Sequence, residues 1–342
     1  MALLSRVLVV NAGSTSLKLS LVGEDEQETA LPSLDAAPAD VAAVGHRVVH
    51  GGERFRDPVL LDREVEEQLA ALVALAPLHN APALEAIREA RAALPDLPHV
   101  AVFDTAFHAT IPPEAATYAL PRRFRDQGIR RYGFHGLSVQ WAAQRVAVAR
   151  AVVCHLGGGC SVTAVRDGRS VDTTMGFTPL EGVPMATRSG SVDPGALLHL
   201  LRSGTTAEEL DEALEHESGL LGLSGTSGDV RELAGSAEPG AQLALAVYCY
   251  RISQAVAAMA VALEGIDALV FTGGVGGHSA RVRVAVCERL EFLGVELDPA
   301  ANERARPDAD VASPTSAARV VVVGAREDVV VARAVRALLE SV

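Results

Sequence analysis

Lysine is nearly missing from this chain: of the 30 lysines and arginines in 342 residues, Lys18 is the single lysine. Positive charge is short in general, since 43 acidic residues leave a formal net charge of −13. That balance excludes a nucleic-acid or anionic-membrane partner, because phosphate backbones and acidic headgroups are held by clustered positive charge, and these arginines are scattered or sit inside motifs. No helix-turn-helix segment or basic arm is visible. Cysteine is scarce too. Cys154, Cys160, Cys249 and Cys287 show no CxxC or Cys/His spacing, which excludes a zinc ribbon and a disulfide scaffold and points to a reducing cytoplasm. The opening MALLSRVLVV lacks the apolar core and cleavage site of a secretory leader and reads as a buried strand. The apolar stretch from Ala241 to Leu263 is interrupted by Arg251 and Gln254, so a buried or interface helix is expected there rather than a membrane span. Neither GxxxxGK[ST] nor a full GxGxxG occurs, which excludes a P-loop NTPase and a Rossmann dehydrogenase.

What is present is a globular chain of 49% hydrophobic residues, long enough for two domains of roughly 150 to 200 residues each. Residues 6–22, RVLVVNAGSTSLKLSLV, read as apolar strand, small polar turn and alternating strand, with Lys18 and Ser20 on one face of the second. The turn of Gly13, Ser14, Thr15 and Ser16 beside a compact ammonium predicts a phosphate site. Residues 151–165, AVVCHLGGGCSVTAV, repeat the pattern, with His155 standing 144 positions after Asn11. Two such hairpins predict a duplicated α/β fold with a cleft between its halves. A third strand runs into glycines in DALVFTGGVGGHS, Asp267 to Ser279, and three strand-to-glycine turns suit a polyphosphate held by backbone N–H groups. Helices are expected at 62–75, 80–93, 137–149, 206–217, 241–264, 280–292 and 326–341, and loose segments at 23–42 and 304–318.

Between these elements run GHRVVHGG (Gly45 to Gly52), APLHNAP (Ala76 to Pro82), VFDTAFH (Val102 to His108) and RRYGFHG (Arg130 to Gly136). CHLGGG, DTTMGFTPLEGVPMATRSG (Asp172 to Gly190), GLSGTSGDVR (Gly222 to Arg231) and FTGGVGGHS follow. In this order, from NAGSTSLK to a C-terminal AREDVVVA, the motifs resemble the acetate kinase family over nearly the whole chain. The resemblance implies a duplicated actin-like ATPase (ribonuclease H-like) α/β fold, with two domains around a nucleotide cleft. The expected domains are 1–147 plus 327–342, binding acyl group and phosphate, and 148–326, binding nucleotide and dimerising.

The implied reaction is reversible in-line transfer of the ATP γ-phosphoryl group to acetate, giving acetyl phosphate and ADP. It brings an anion to an anion, so positioning and charge neutralisation dominate. By the same resemblance Arg47, Arg188, His135 and Asp104 are the catalytic candidates. Val49, Leu78, Phe134 and Pro179, with Arg47, match the acyl pocket. Asn11, Ser14, Ser16 and Lys18 match the first phosphate turn, and His155, Leu156, Gly157, Gly158 and Gly159 the second. Asp229, Val230 and Arg231, with Gly273, Gly274, Val275 and Gly276, match positions around the adenosine. Glu327 and Asn11 are the candidates for Mg2+, with Mn2+ as an alternative ion, since hard oxygen donors suit it. Four apolar acyl-pocket residues favour acetate, with propionate as a second substrate. A homodimer joined through the second domain is implied.

The chain also departs from the family. Gly158 stands for an asparagine, Gly228 breaks the usual SSD, GENS has become Gly277, His278 and Ser279, Val139 replaces a histidine, and Thr15 and Ala186 are milder changes. The GGG and GSTS turns are closer to butyrate kinase, which keeps propionate or butyrate as alternative acyl groups and leaves nucleotide preference open. A non-catalytic ATP-binding module is the alternative outside enzymes. The segment between Val22 and Val41 is shorter than in typical relatives.

Overall fold

The computed structural model describes residues 6–12, 17–75 and 77–341, without the side chains of 74, 75 and 77–79. The chain separates into two compact units: Met1–Ala109, Phe134–Trp141 and Arg326–Val342 form unit 1, and Thr110–Gly133 with Ala142–Ala325 form unit 2.

Unit 1 is built on a sheet of β1 (Arg6–Ala12), β2 (Leu17–Gly23), β3 (Glu28–Leu31), β4 (Val41–Val48), β5 (Val59–Leu60) and β6 (His99–Phe103), in the order β3-β2-β1-β4-β6-β5. The first three strands form an antiparallel meander, β1, β4 and β6 run parallel, and β5 closes the edge antiparallel. Unit 2 carries β7 (Arg150–Leu156), β8 (Cys160–Arg166), β9 (Arg169–Thr173), β10 (Ala268–Thr272), β11 (Ala309–Asp310) and β12 (Arg319–Val322). Its order, β9-β8-β7-β10-β12-β11, is the same topology strand for strand, down to the short antiparallel edge strand. The duplication expected from two hairpins therefore extends to both sheets.

Val7 to Val10 and Val152 to Cys154 are buried. Such β-branched runs need cover on both faces of a sheet. In unit 1 the helix Pro77–Ala93 packs on β1 and β4, and the C-terminal helix Glu327–Glu340 packs on β1, β2, β4 and β6. Gly45 lets the latter lie close, since a Cβ there would stand 2.6 Å from Val331 Cγ1. In unit 2 the helix Pro239–Leu263 packs on β7, β8 and β9. Among the described residues it alone is long and apolar enough to cross a membrane, and half of its most apolar window is buried in the protein.

All seven expected helices are present within a few residues. The third glycine turn differs: Gly273–His278 is a short helix. Segment 23–42 is not loose throughout, because β3 pairs with β2 through Leu31 opposite Leu19. Residues 110–133, expected in the first domain, pack within unit 2, where Thr110 donates to the Ser170 carbonyl at 2.8 Å and Arg131 to that of Thr173. The helix Pro194–Arg202, none of whose residues is buried, was not anticipated.

Candidate active site

Because β1, β4 and β6 are parallel, their carboxyl ends share one edge of the unit 1 sheet, the edge where open α/β sheets bind ligands. Asn11 lies opposite Lys18 on β2 and Arg47 on β4, forming a row across three strands. Asp104 follows β6, and the first turn of the C-terminal helix adds Glu327 and Asp328. Arg47 donates to both Asp104 oxygens, Nε to Oδ1 at 3.0 Å and Nη2 to Oδ2 at 2.6 Å. Its Nη1 donates to Asn11 Oδ1 at 3.1 Å and pairs with Glu327 Oε2 at 3.3 Å. Asn11 Nδ2 in turn donates to Asp328 Oδ1 at 3.1 Å, and Ser20 Oγ to Asp328 Oδ2 at 2.6 Å. A guanidinium has five N–H bonds, so among the described residues one on Nη2 is left uncommitted.

Burial alone pulls the Arg47 pKa down, but the carboxylates of Asp104 and Glu327 outweigh it and hold it above the ordinary value. Burial raises the Glu327 pKa, Arg47 opposes, and Asp104 and Asp328 raise it further. Three carboxylates against Arg47 and the exposed Lys18 leave a negative surplus. No three His, Cys, Asp or Glu side chains among the described residues form a metal cage. The donor set instead fits magnesium, which takes one or two carboxylates and fills its shell with phosphate oxygens and water.

His135 stands before the helix Gly136–Val146 with φ of +59°, left-handed backbone that a non-glycine residue adopts at a cost of about 1 to 3 kcal/mol. The preceding carbonyl, of Phe134, is bonded to buried His108 Nε2 at 2.9 Å. Burial lowers the His108 pKa to about 4, so the ring is neutral and donates. Val49 and Phe134 are buried, and the His50 ring meets Phe134 edge-on at 5.5 Å. Ser14, Ser16 and the side chain of Leu78 lie outside the described residues.

In unit 2 the matching row is His155 opposite Ser161 and Thr272. Gly157 donates to the Gly159 carbonyl at 3.0 Å, and Ala186 to that of Gly158 at 3.2 Å. No atom stands within 4 Å of a Cβ added at Gly158 or Gly277, whereas one at Gly228 would lie 2.6 Å from the Ala186 carbonyl. Packing thus demands only the third of these glycines. Arg188 pairs with Glu215 Oε2 at 3.0 Å and donates through Nη1 to the Pro179 carbonyl at 3.4 Å. Asp229 caps the helix Val230–Gly235 and binds Arg231, whose guanidinium holds its carboxyl down at about 2. Leu156 is buried at the end of β7, and Gly273, Gly274, Val275 and Gly276 lie in the helix after β10.

The structure brings Asn11, Arg47, Asp104 and Glu327 together, and Arg188 with Pro179. Asp328 and Glu215 were missed. The acid after Glu327 in AREDVVVA was the available signal for Asp328. A cavity of about 720 Å3 in unit 2, lined among others by Asp172, Thr174, Ser189 and Glu217, contains none of the expected residues.

Comparison with known proteins agrees with the motifs. The sequence profile of the Acetokinase family matches residues 26–333. An acetate kinase of Synechococcus sp. (strain JA-2-3B'a(2-13)) is 48% identical over 319 residues, 90% of this chain and 79% of that protein. The crystal structure of Porphyromonas gingivalis acetate kinase superposes with a TM-score of 0.88 at 34% identity, covering 98% of this chain and all of the other. A propionate kinase from Francisella tularensis gives the same score and identity over 96% of this chain and 98% of its own. Together with the actin-like architecture of both units, the match across residues 26–333 places this chain in the acetokinase family.

Proposed function

We propose that the protein is an acetate kinase, transferring the γ-phosphoryl group of ATP reversibly to acetate. The observation that carries this reading is the Arg47 cluster: a guanidinium tied to Asp104, Asn11 and Glu327 at the carboxyl edge of a sheet. It is supported by relatives at 46 to 49% identity that are named acetate kinase. A propionate or butyrate kinase is not favoured.

In this reading the two units divide the work. In unit 1, Arg47 attracts the acetate carboxylate through its uncommitted N–H and its charge, while Val49 and Phe134 exclude water from the methyl group. His135 donates a hydrogen bond to the phosphoryl oxygens as charge moves onto them. Glu327, oriented with Asn11 beside Arg47, would hold Mg2+, which when bound neutralises the β and γ oxygens. In unit 2, Arg188 spreads equatorial charge, the Gly157–Gly159 turn offers the N–H groups of Gly158 and Gly159 to phosphate, and Asp229, Arg231 and Gly274 flank the adenosine. The carboxylate attacks directly, so no proton has to be transferred.

Acetyl phosphate trapped as hydroxamate, formed only with ATP, magnesium and acetate together, is the expected result; its absence with every nucleotide would sink the reading. The proposal includes a homodimer through unit 2, supported by Leu198, Leu200 and Leu201, exposed on a helix with no buried residue. Light scattering is expected to give twice the chain mass. Four free buried thiols suit the cytoplasm.

A further inference from the structure

Three side chains that the reaction does not use converge on one segment of unit 2. Arg131 Nη1 donates to the carbonyls of Thr173, Thr174 and Met175 at 2.8, 2.9 and 3.1 Å, and its Nη2 donates to Glu181 Oε1 at 2.8 Å. The other Glu181 oxygen accepts from the Tyr118 hydroxyl. That hydroxyl oxygen accepts in turn from the Phe177 N–H at 2.9 Å, and the Gly176 carbonyl accepts from the Tyr132 N–H at 3.0 Å. Every residue from Thr173 to Phe177 is thus held by a hydrogen bond to this group or its neighbour. A Cβ at Gly176 would overlap Glu181 Oε2 and the Tyr118 hydroxyl, so glycine is what admits the clamp. Burial, then Glu181, push the Tyr118 pKa up, keeping the phenol a neutral donor.

An apolar plug would brace a loop without taking a guanidinium and a carboxylate out of water, which is costly unless geometry repays it. Here the Arg131 side chain is 16% exposed and Glu181 33%. What the geometry delivers lies just beyond the clamp. Two residues after Phe177 comes Pro179, the expected wall of the acyl pocket, and its carbonyl accepts from Arg188.

We propose that Tyr118, Arg131 and Glu181 are positioning residues for acyl selection, fixing Pro179 and Arg188 so that the pocket cannot yield to a longer acid. The inference rests on the acetate kinase reading and on Pro179 as acyl wall. One added methylene is discriminated by about 10- to 200-fold only where the wall stays put. A wall that drifts loses part of that factor, while nucleotide binding is untouched.

The test compares wild type with Tyr118→Phe, which removes one hydroxyl, and Glu181→Gln, which keeps the shape. Three quantities are read: kcat/KM for acetate against propionate, KM for ATP, and amide hydrogen exchange of peptide 173–181. The acetate-to-propionate ratio is expected to fall by about threefold to tenfold, mainly through KM for acetate, with KM for ATP within about twofold. Exchange of the 173–181 peptide is expected to accelerate while that of helix Pro239–Leu263 stays as in wild type. An unchanged ratio, or KM for ATP rising in step with KM for acetate, overturns the proposal, as does unchanged exchange. The exchange measurement needs no turnover, so it separates a clamp that fails from an acetate kinase reading that fails. Should one variant not fold, the other decides by the same readings.

Discussion

The two units share a strand order but not a chemistry, and the register pairs their residues one to one. The row Lys18, Asn11, Arg47 in unit 1 occupies the places of Ser161, His155, Thr272 in unit 2. One row carries Lys18 and Arg47 beside Asp104, Glu327 and Asp328; the other has no lysine, arginine or carboxylate and opens into Gly157–Gly159. One step back along the strands, His46 in β4 corresponds to Phe271 in β10. The same scaffold thus carries formal charge at one sheet edge and a glycine turn at the other.

In the proposed reading the exception to that division is Arg188, a charge of unit 2 beside Pro179, and removing it is expected to give the largest effect. Arg188→Ala is expected to lower kcat by about 100- to 1000-fold, the usual cost of one transition-state donor, with an unaltered circular dichroism spectrum. Near-normal turnover would mean that unit 2 only binds.

Next in size is Glu327→Gln. Loss of the carboxylate is expected to weaken Mg2+ by about 10- to 100-fold. The check is the rise in Tm on adding Mg2+, which needs no turnover. A variant that keeps the full rise would remove the metal from the charged edge.

The smallest effect concerns stability. His99 Nε2 is bonded to the Leu94 carbonyl at 3.0 Å, and His99 Nδ1 to His46 Nε2 at 2.9 Å. Donation therefore runs from His46 to His99 to Leu94, and the buried His46 Nδ1 is left without a partner among the described residues. Burial first, then His99 and Arg91, lower the His46 pKa from 6.5 to about 3. The unfolded chain binds this proton at higher pH than the folded one, so stability is full above 6.5 and is lost as pH falls towards 3. The loss approaches about 1.4 kcal/mol per pH unit. With Phe271 at the matching place, unit 2 is spared this term. Hydrogen exchange at pH 5 against pH 7 is expected to show β4 and β6 weakened more than β7 and β10. Equal weakening would remove the asymmetry.

Much of this was legible in the sequence, for reasons visible in particular elements. The hairpins at 6–22 and 151–165 announced the duplication because β-branched runs ending in small polar turns have few other uses. Arg47, Asp104 and Glu327, which the structure brings together, could be picked out because each sits in a short motif at a strand or helix end. Contacts between side chains distant along the chain were not legible. Tyr118 meets Glu181 across 63 positions and Arg131 meets it across 50, and no local pattern encodes such pairs. The helix Gly273–His278 was hidden because four of its six residues are glycine, which local propensity assigns to a loop. Residues 110–133 were misassigned because chain continuity says nothing about which core a segment joins. Helix Pro194–Arg202 escaped notice because none of it is buried, leaving no buried stripe to give a period.

The central claim is that equivalent places carry unequal work, and Arg47 against Thr272 tests it most directly. Arg47→Lys keeps the charge but loses the fork that grips Asp104, while Thr272→Val removes only a buried hydroxyl that has no partner among the described residues. The initial rate of acetyl phosphate formation at saturating ATP and acetate is expected to fall by about 100-fold or more for Arg47→Lys and to stay within about twofold for Thr272→Val. Comparable losses in the two variants would contradict the account.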